Sequence, residues 1–180
     1  PDTDIFFTTD HGELQGDFGL LFKGPYHVDA LMRLPFIWRP AGGLESTSMT
    51  APVGHLDLAP TFCDIAGIEV PDYMEGQVLP VSEDCGQSRE NVLTEWDSEH
   101  RSIDMHLKSI YRSDGWLCTC YEKSALYEGT EGELYNLKAD PEQRVNLWSK
   151  ETQIQAELVD ELYDTLPAAR EPKLERKAPV

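Results

Sequence analysis

Residues 3–12 read Thr-Asp-Ile-Phe-Phe-Thr-Thr-Asp-His-Gly, a short apolar, β-prone run that stops abruptly in Asp10-His11-Gly12. The pattern predicts a buried strand from Thr3 to Thr9 that delivers polar residues at its C-terminal end, where open α/β sheets place their chemistry. Two adjacent polar residues at a strand tip can point to either side of a small pocket, and both can reach a divalent cation. A carboxylate oxygen suits calcium or magnesium, whereas an imidazole beside it favours zinc or manganese. Taken alone, Asp-His-Gly serves equally well as a turn.

Working outward, Gly12, Gly16, Gly19 and Gly24 punctuate an irregular stretch, and Lys23 ends it directly after Leu20, Leu21 and Phe22. So apolar a setting argues against a merely solubilising lysine. A short helix is expected over Tyr26 to Leu31. A second buried strand, Pro35 to Trp38, is stopped by Arg39-Pro40 and Gly42-Gly43, and Arg33 is expected to tie the loop to the sheet by ion pairing. A helix is read from Val53 to Ala66 with Gly67 as its stop, and Leu56, Ala59, Phe62, Cys63 and Ala66 fall on one face. Pro60 requires either a kink or a start near Ala59 that leaves it in the first turn. Prolines, glycines and acids make residues 71–87 a loop and the natural boundary.

From Asn91 the texture turns β-rich. Strands are predicted at Asn91 to Trp96, Met105 to Tyr111, Trp116 to Tyr121 and Glu133 to Leu137, with Arg112-Ser113-Asp114-Gly115 as a hairpin turn. Ile154, Leu158, Leu162 and Tyr163 recur at helical spacing, which predicts a helix from Glu151 to Leu166 packed on the antiparallel sheet. The charged, proline-bearing tail 170–180 is expected to be ordered only by contact with the body.

The 33 acidic residues outnumber the 15 basic ones, and the formal charge of -18 repels nucleic acid phosphates. No stretch approaches the roughly 18 to 20 apolar residues of a membrane-spanning helix. Cys63, Cys85, Cys118 and Cys120 have no CxxC spacing, so neither a zinc site nor a disulfide scaffold is indicated, and Cys118 and Cys120 share one strand face. The opening residues lack the basic and hydrophobic regions of a signal peptide and an initiating methionine, so the chain reads as beginning in mid-protein. An apolar strand without its neighbours predicts self-association of the isolated chain, and a homo-oligomer is compatible with that.

Three segments together bring a family into view. Residues 8–40, TTDHGELQGDFGLLFKGPYHVDALMRLPFIWRP, closely resemble the sulfatase signature: a strand ending in Ser/Thr-Asp-His/Asn-Gly, a glycine-rich segment, a lysine and an Arg-x-Pro strand entry. Residues 55–71, HLDLAPTFCDIAGIEVP, with Glu75-Gly76, resemble the helix and loop that follow in that family. Residues 132–147, GELYNLKADPEQRVNL, resemble its C-terminal turn.

The resemblance implies an α/β fold: the C-terminal part of an alkaline-phosphatase-like sheet domain over residues 1–85, then a small antiparallel-sheet subdomain with a packed C-terminal helix over 86–180. It implies Asp10 as a metal ligand, His11 as a second metal ligand or a catalytic contact to the ester oxygens, and Lys23 as the catalytic, sulfate-binding lysine; His27, beside Tyr26, is read from its own setting as a candidate substrate contact. The implied metal is calcium, with manganese, magnesium or zinc as alternatives. The implied substrate is a small-molecule or saccharide sulfate ester.

Asp17 and Phe18 stand where many relatives have an acid followed by histidine, and Asp17 is read as structural. His55 and Asp57 are expected to cap and orient. His100 and His106, beside Asp97, Glu99 and Asp104, are expected in a solvated loop that could border the substrate entrance.

The family nucleophile is a formylglycine made from Cys/Ser-x-Pro/Ala-x-Arg. Cys63-Asp64-Ile65, Cys85-Gly86-Gln87 and Ser88-Arg89-Glu90 all fail that pattern, so it is expected upstream and the chain alone is expected to be inactive. A phosphodiesterase or phosphonate monoester hydrolase of the same superfamily, and a non-catalytic binding module, are the alternatives.

Overall fold

The apolar run after Asp4 forms strand β1, Ile5–Phe7, and its partner is β2, Ile37–Arg39. The computed structural model describes residues 2–43, 45–46, 48–81, 89–100 and 103–166. β1 and β2 run antiparallel, with Phe6 opposite Trp38, and the two rings stack at 5.0 Å. Alternation places Phe6 and Trp38 on one face, where Phe62 packs edge-on against Phe6. The other face is open, with Ile5 51%, Phe7 60% and Ile37 63% exposed. The expected burial of both strands is therefore corrected: within this chain they form a two-stranded ribbon covered on one side only.

Between them, residues 14–21 fold back on themselves, with Gly16 N–H donating to Leu20 O and Asp17 N–H to Leu14 O. Phe18 takes a left-handed conformation at φ 56° at the tip of this loop. Helix α1 is Asp29–Met32, starting later than predicted because Val28 is still extended. Arg33 pairs at 3.9 Å with Asp29, one turn back, so its ion pair is local and does not reach the sheet.

A 3-10 turn, His55–Asp57, leads into α2, Leu58–Ile65. Pro60 lies in the first turn of α2, the second of the two arrangements the sequence allowed, and Gly67 ends the helix at φ 66°. The buried side of α2 is Pro60 and Thr61. Leu56, Phe62 and Ile65, on or beside the predicted apolar face, are exposed in this chain.

Asp57 is the anchor of this region. It is fully buried and its carboxylate accepts from Gly54 N–H at 2.8 Å, from Gln77 N–H at 2.9 Å and from the Arg89 guanidinium. It joins the turn, the following loop and the residue just ahead of β3. The residues on both sides of the expected boundary are thus tied together, while residues 82–88 themselves lie outside the described residues.

The second sheet is an antiparallel meander of β3 (Asn91–His100), β4 (Ile103–Arg112), β5 (Trp116–Tyr121) and β6 (Gly132–Asn136). The Arg112–Gly115 hairpin turn forms as predicted, with Gly115 at φ 98°. One sheet face carries Ile110, Cys118, Cys120 and Leu134, and α3, Thr152–Thr165, lays Leu158 and Leu162 on them, all nearly or fully buried. Arg112, held by Asp114, Glu157 and Glu161, fastens the turn to the helix. The opposite face meets the N-terminal region through Ser109, and through Val92, which lies close against Gly54. His106 is not in a loop. It belongs to β4, inside the strand expected from Met105 to Tyr111, and bonds Asp97 at 2.7 Å on β3, which runs past its expected end at Trp96 to His100.

No helix among the described residues is long and apolar enough to cross a membrane. Cys85, the side chain of His100 and the tail 170–180 lie outside the described residues.

Candidate functional site

Beyond the last paired residue of β1 the chain leaves the ladder through Thr8 and Thr9 and enters Asp10-His11-Gly12. Gly12 is needed there by close approach. Its N–H donates to Leu31 O at 3.0 Å, and a β-carbon on it would stand 1.9 Å from Ala30 O. The segment is thereby pressed against α1, and the side chains before it are turned outward.

The Asp10 side chain is 83% exposed, and its Oδ2 faces His11 Nε2 at 3.4 Å. Its own backbone N–H, more than the His11 ring, holds its carboxyl below the usual range, so it is a carboxylate at neutral pH. His11 Nδ1 lies 2.8 Å from Gly12 O. A carbonyl can only accept, so Nδ1 donates to it and Nε2 is the ring nitrogen that faces the carboxylate. A hard oxygen and an imidazole nitrogen converge here, a donor set that fits a divalent cation. Among the described residues no group of three or more His, Cys, Asp or Glu is placed to hold a metal.

Lys23 is exposed on the segment following the glycine-rich loop, and no hydrogen bond or ion pair joins it to Asp10 or His11 among the described residues. His27 is 4% exposed and turned to the second sheet, where its Nδ1 lies 2.6 Å from Ser109 Oγ. Ser109 donates onward to Thr119 at 2.7 Å, so its oxygen accepts from His27 Nδ1–H. Burial pushes the His27 pKa down to about 4. The neutral ring is thus held from behind, and Nε2 is its remaining polar atom.

Four residues of the framework escaped sequence reading. Ser109 and Thr119 hold His27, Arg89 holds Asp57, and Gln143 accepts from Asp29 N–H at 2.7 Å at the start of α1. Ser109 and Thr119 had a signal: each is a polar residue sharing a face with apolar neighbours two residues away, Leu107 and Tyr111 for Ser109, Leu117 and Tyr121 for Thr119. His55, expected to orient, bonds the Thr9 carbonyl.

Residues 16–171 match the family described as N-sulphoglucosamine sulphohydrolase, C-terminal. That span includes Lys23 and His27 and begins just after Asp10 and His11. The chain is 30% identical over 171 residues to the uncharacterized sulfatase YidJ of Escherichia coli, covering 93% of this chain and 33% of that protein. It is 31% identical over 154 residues to the Delta 4,5-hexuronate-2-O-sulfatase of Bacteroides thetaiotaomicron, covering 81% and 30%. Among solved structures it superposes, with a TM-score of 0.73 and 27% identity, on a protein in complex with its substrate D-glucosamine-2-N,6-O-disulfate, covering 90% of this chain and 33% of that one. The chain spans about a third of the length of the curated relatives it matches.

Proposed function

The chain belongs to the sulfatase family as its C-terminal portion, and from that membership we propose that the whole protein hydrolyses the sulfate ester of a saccharide. The observation that carries this reading is the convergence of Asp10 Oδ2 and His11 Nε2 at 3.4 Å, in a chain that matches a sulfatase over 93% of its length. The saccharide is inferred from the hexuronate sulfatase relative and from the glucosamine disulfate bound by the structural neighbour.

Asp10 and His11 would hold a divalent metal, most simply calcium for a carboxylate-led set, with manganese, magnesium or zinc as the other candidates. Such a metal supplies charge that neutralises sulfate oxygens as the ester bond breaks. Lys23, exposed, would bind the sulfate group in the same sense and stabilise negative charge as it builds. His27, kept neutral by burial and anchored at Nδ1 by Ser109, would offer Nε2 to the substrate as an acceptor. The nucleophile, a formylglycine in this reading, lies outside these residues. In the same reading residues 1–85 close the catalytic domain and 86–180 form the appended subdomain.

The test uses the full-length protein, assayed in parallel on aryl sulfate and aryl phosphate esters with and without chelator. Sulfate hydrolysis that chelator abolishes, and that Asp10→Ala and Lys23→Ala each depress by two orders of magnitude or more, is expected. Faster phosphate than sulfate hydrolysis, or sulfate hydrolysis indifferent to chelator and to Asp10→Ala, would overturn the reading.

A further inference from the structure

We infer that His55 is a positioning residue for the Asp10 and His11 pair, acting through the Thr9 carbonyl; the inference rests on the metal reading above. His55 Nε2 lies 2.8 Å from Thr9 O, across 46 residues of sequence. The carbonyl only accepts, so His55 donates through Nε2–H.

Thr9 is the hinge of the site. The β1 to β2 ladder ends at Phe7 paired with Ile37, so no strand partner holds Thr8 or Thr9. Thr9 is nevertheless tied forward to both proposed ligands: its Oγ1 lies 3.1 Å from His11 O and 3.3 Å from Asp10 Oδ1. Fixing the Thr9 peptide therefore fixes where Asp10 and His11 begin.

His55 can do this because the turn that carries it is braced on both sides. It sits in the 3-10 turn whose ends are locked to each other, Gly54 N–H to Asp57 Oδ2 and Asp57 N–H to Gly54 O. The Asp57 carboxylate is in turn gripped by Gln77 N–H and by Arg89 at the root of β3. Gly76 reinforces the brace, since a β-carbon there would stand 2.0 Å from Leu56 O. A strut thus runs from the second sheet through Arg89, Asp57 and His55 to the tip of β1.

The two roles open to His55 separate experimentally. The ring is exposed in this chain, so water can replace its hydrogen bond, and its net worth to folding is about 1 kcal/mol or less. Its worth to a metal site is geometric. Losing a partner that orients ligands typically weakens metal affinity by about 10- to 100-fold.

The experiment titrates Ca2+ and, separately, Mn2+ in chelator buffers against the full-length protein and its His55→Ala, His55→Gln and Asp10→Ala variants. Melting temperature is the readout, and the KM and kcat of an aryl sulfate are measured alongside. His55→Ala should bind metal about tenfold more weakly or worse while melting close to the parent in excess chelator. His55→Gln, whose amide N–H can meet the same carbonyl, should recover most of the affinity. An unchanged metal affinity in His55→Ala, or an equal loss of melting temperature with and without metal, would overturn the inference. If Asp10→Ala also leaves affinity unchanged, or the parent responds to neither metal, the site itself falls. If Asp10→Ala alone weakens binding, only the role of His55 does.

Discussion

His27, on the segment that follows Lys23, donates from Nδ1 to Ser109 Oγ on the second sheet at 2.6 Å, in a contact from which solvent is almost excluded. A neutral ring suits that place and a charged one does not, so burial takes the pKa from 6.5 down to about 4. The unfolded chain therefore binds the extra proton first. Between pH 6.5 and 4 it holds more protons than the fold, so the contribution of His27 is complete above pH 6.5 and is lost as pH falls toward 4. The shift corresponds to at most about 3 kcal/mol. Denaturant unfolding at pH 7 and pH 4.5 should show a smaller acid loss for His27→Gln than for the parent, the difference being the histidine's share. Equal acid losses would refute the assignment.

Asp57 predicts a different kind of loss. It is buried with three donors on its two oxygens, one of them the Arg89 guanidinium. Asp57→Ala strands Arg89 and two backbone N–H groups, and breaking such a buried pair costs roughly 3–5 kcal/mol. Urea unfolding should therefore place Asp57→Ala far below the parent at pH 7. A midpoint within error of the parent would mean that the two sheets hold together without this anchor.

The glycines divide into two kinds. At Gly12 a β-carbon meets Ala30 O at 1.9 Å, and backbone cannot step aside, so Gly12→Ala should cost about 1–3 kcal/mol or more through overpacking. At Gly43 the space is open and the only objection is φ 78°, so Gly43→Ala should cost about 1–2 kcal/mol from the left-handed backbone alone. Gly12→Ala should also displace Asp10 and His11 and so weaken metal binding, which Gly43→Ala leaves intact. Similar metal affinities in the two variants would contradict this division.

The second sheet was legible because it builds its own core. Its β-prone, largely apolar texture marked β5 from Trp116 to Tyr121 end to end, and the spacing of Ile154, Leu158 and Leu162 located α3 to within a residue. β3 outran its predicted end at Trp96 because the polar run from Asp97 onward continues the ladder, Asp97 against His106 and Ser98 against Met105, with no hydrophobic period to report it. The first part was harder to read, since its apolar residues do not report on what covers them. Phe62 and Leu56 look inward by periodicity and stand exposed. The pairs that frame the candidate site, His27 with Ser109 and His55 with Thr9, join residues 82 and 46 positions apart, and no local spacing encodes such contacts.

The open face of the β1 to β2 ribbon leads to the last prediction. Ile5, Phe7 and Ile37 alternate onto one side, each more than half exposed, and Leu21 and Phe22 add further exposed apolar surface in the nearby chain. Exposed apolar area on a ribbon that, among the described residues, has only two strands favours association in water. The net charge of -18 opposes this, but it is screened within about 8–10 Å at physiological salt, whereas the apolar contact is not. The isolated 180-residue chain should therefore self-associate, and more strongly as salt is raised. The double variant Ile5→Lys with Ile37→Lys, altering only outward positions, should shift it toward monomer. Light scattering across a concentration series decides the matter: a monomer at every concentration and at high salt would show that the face is not adhesive.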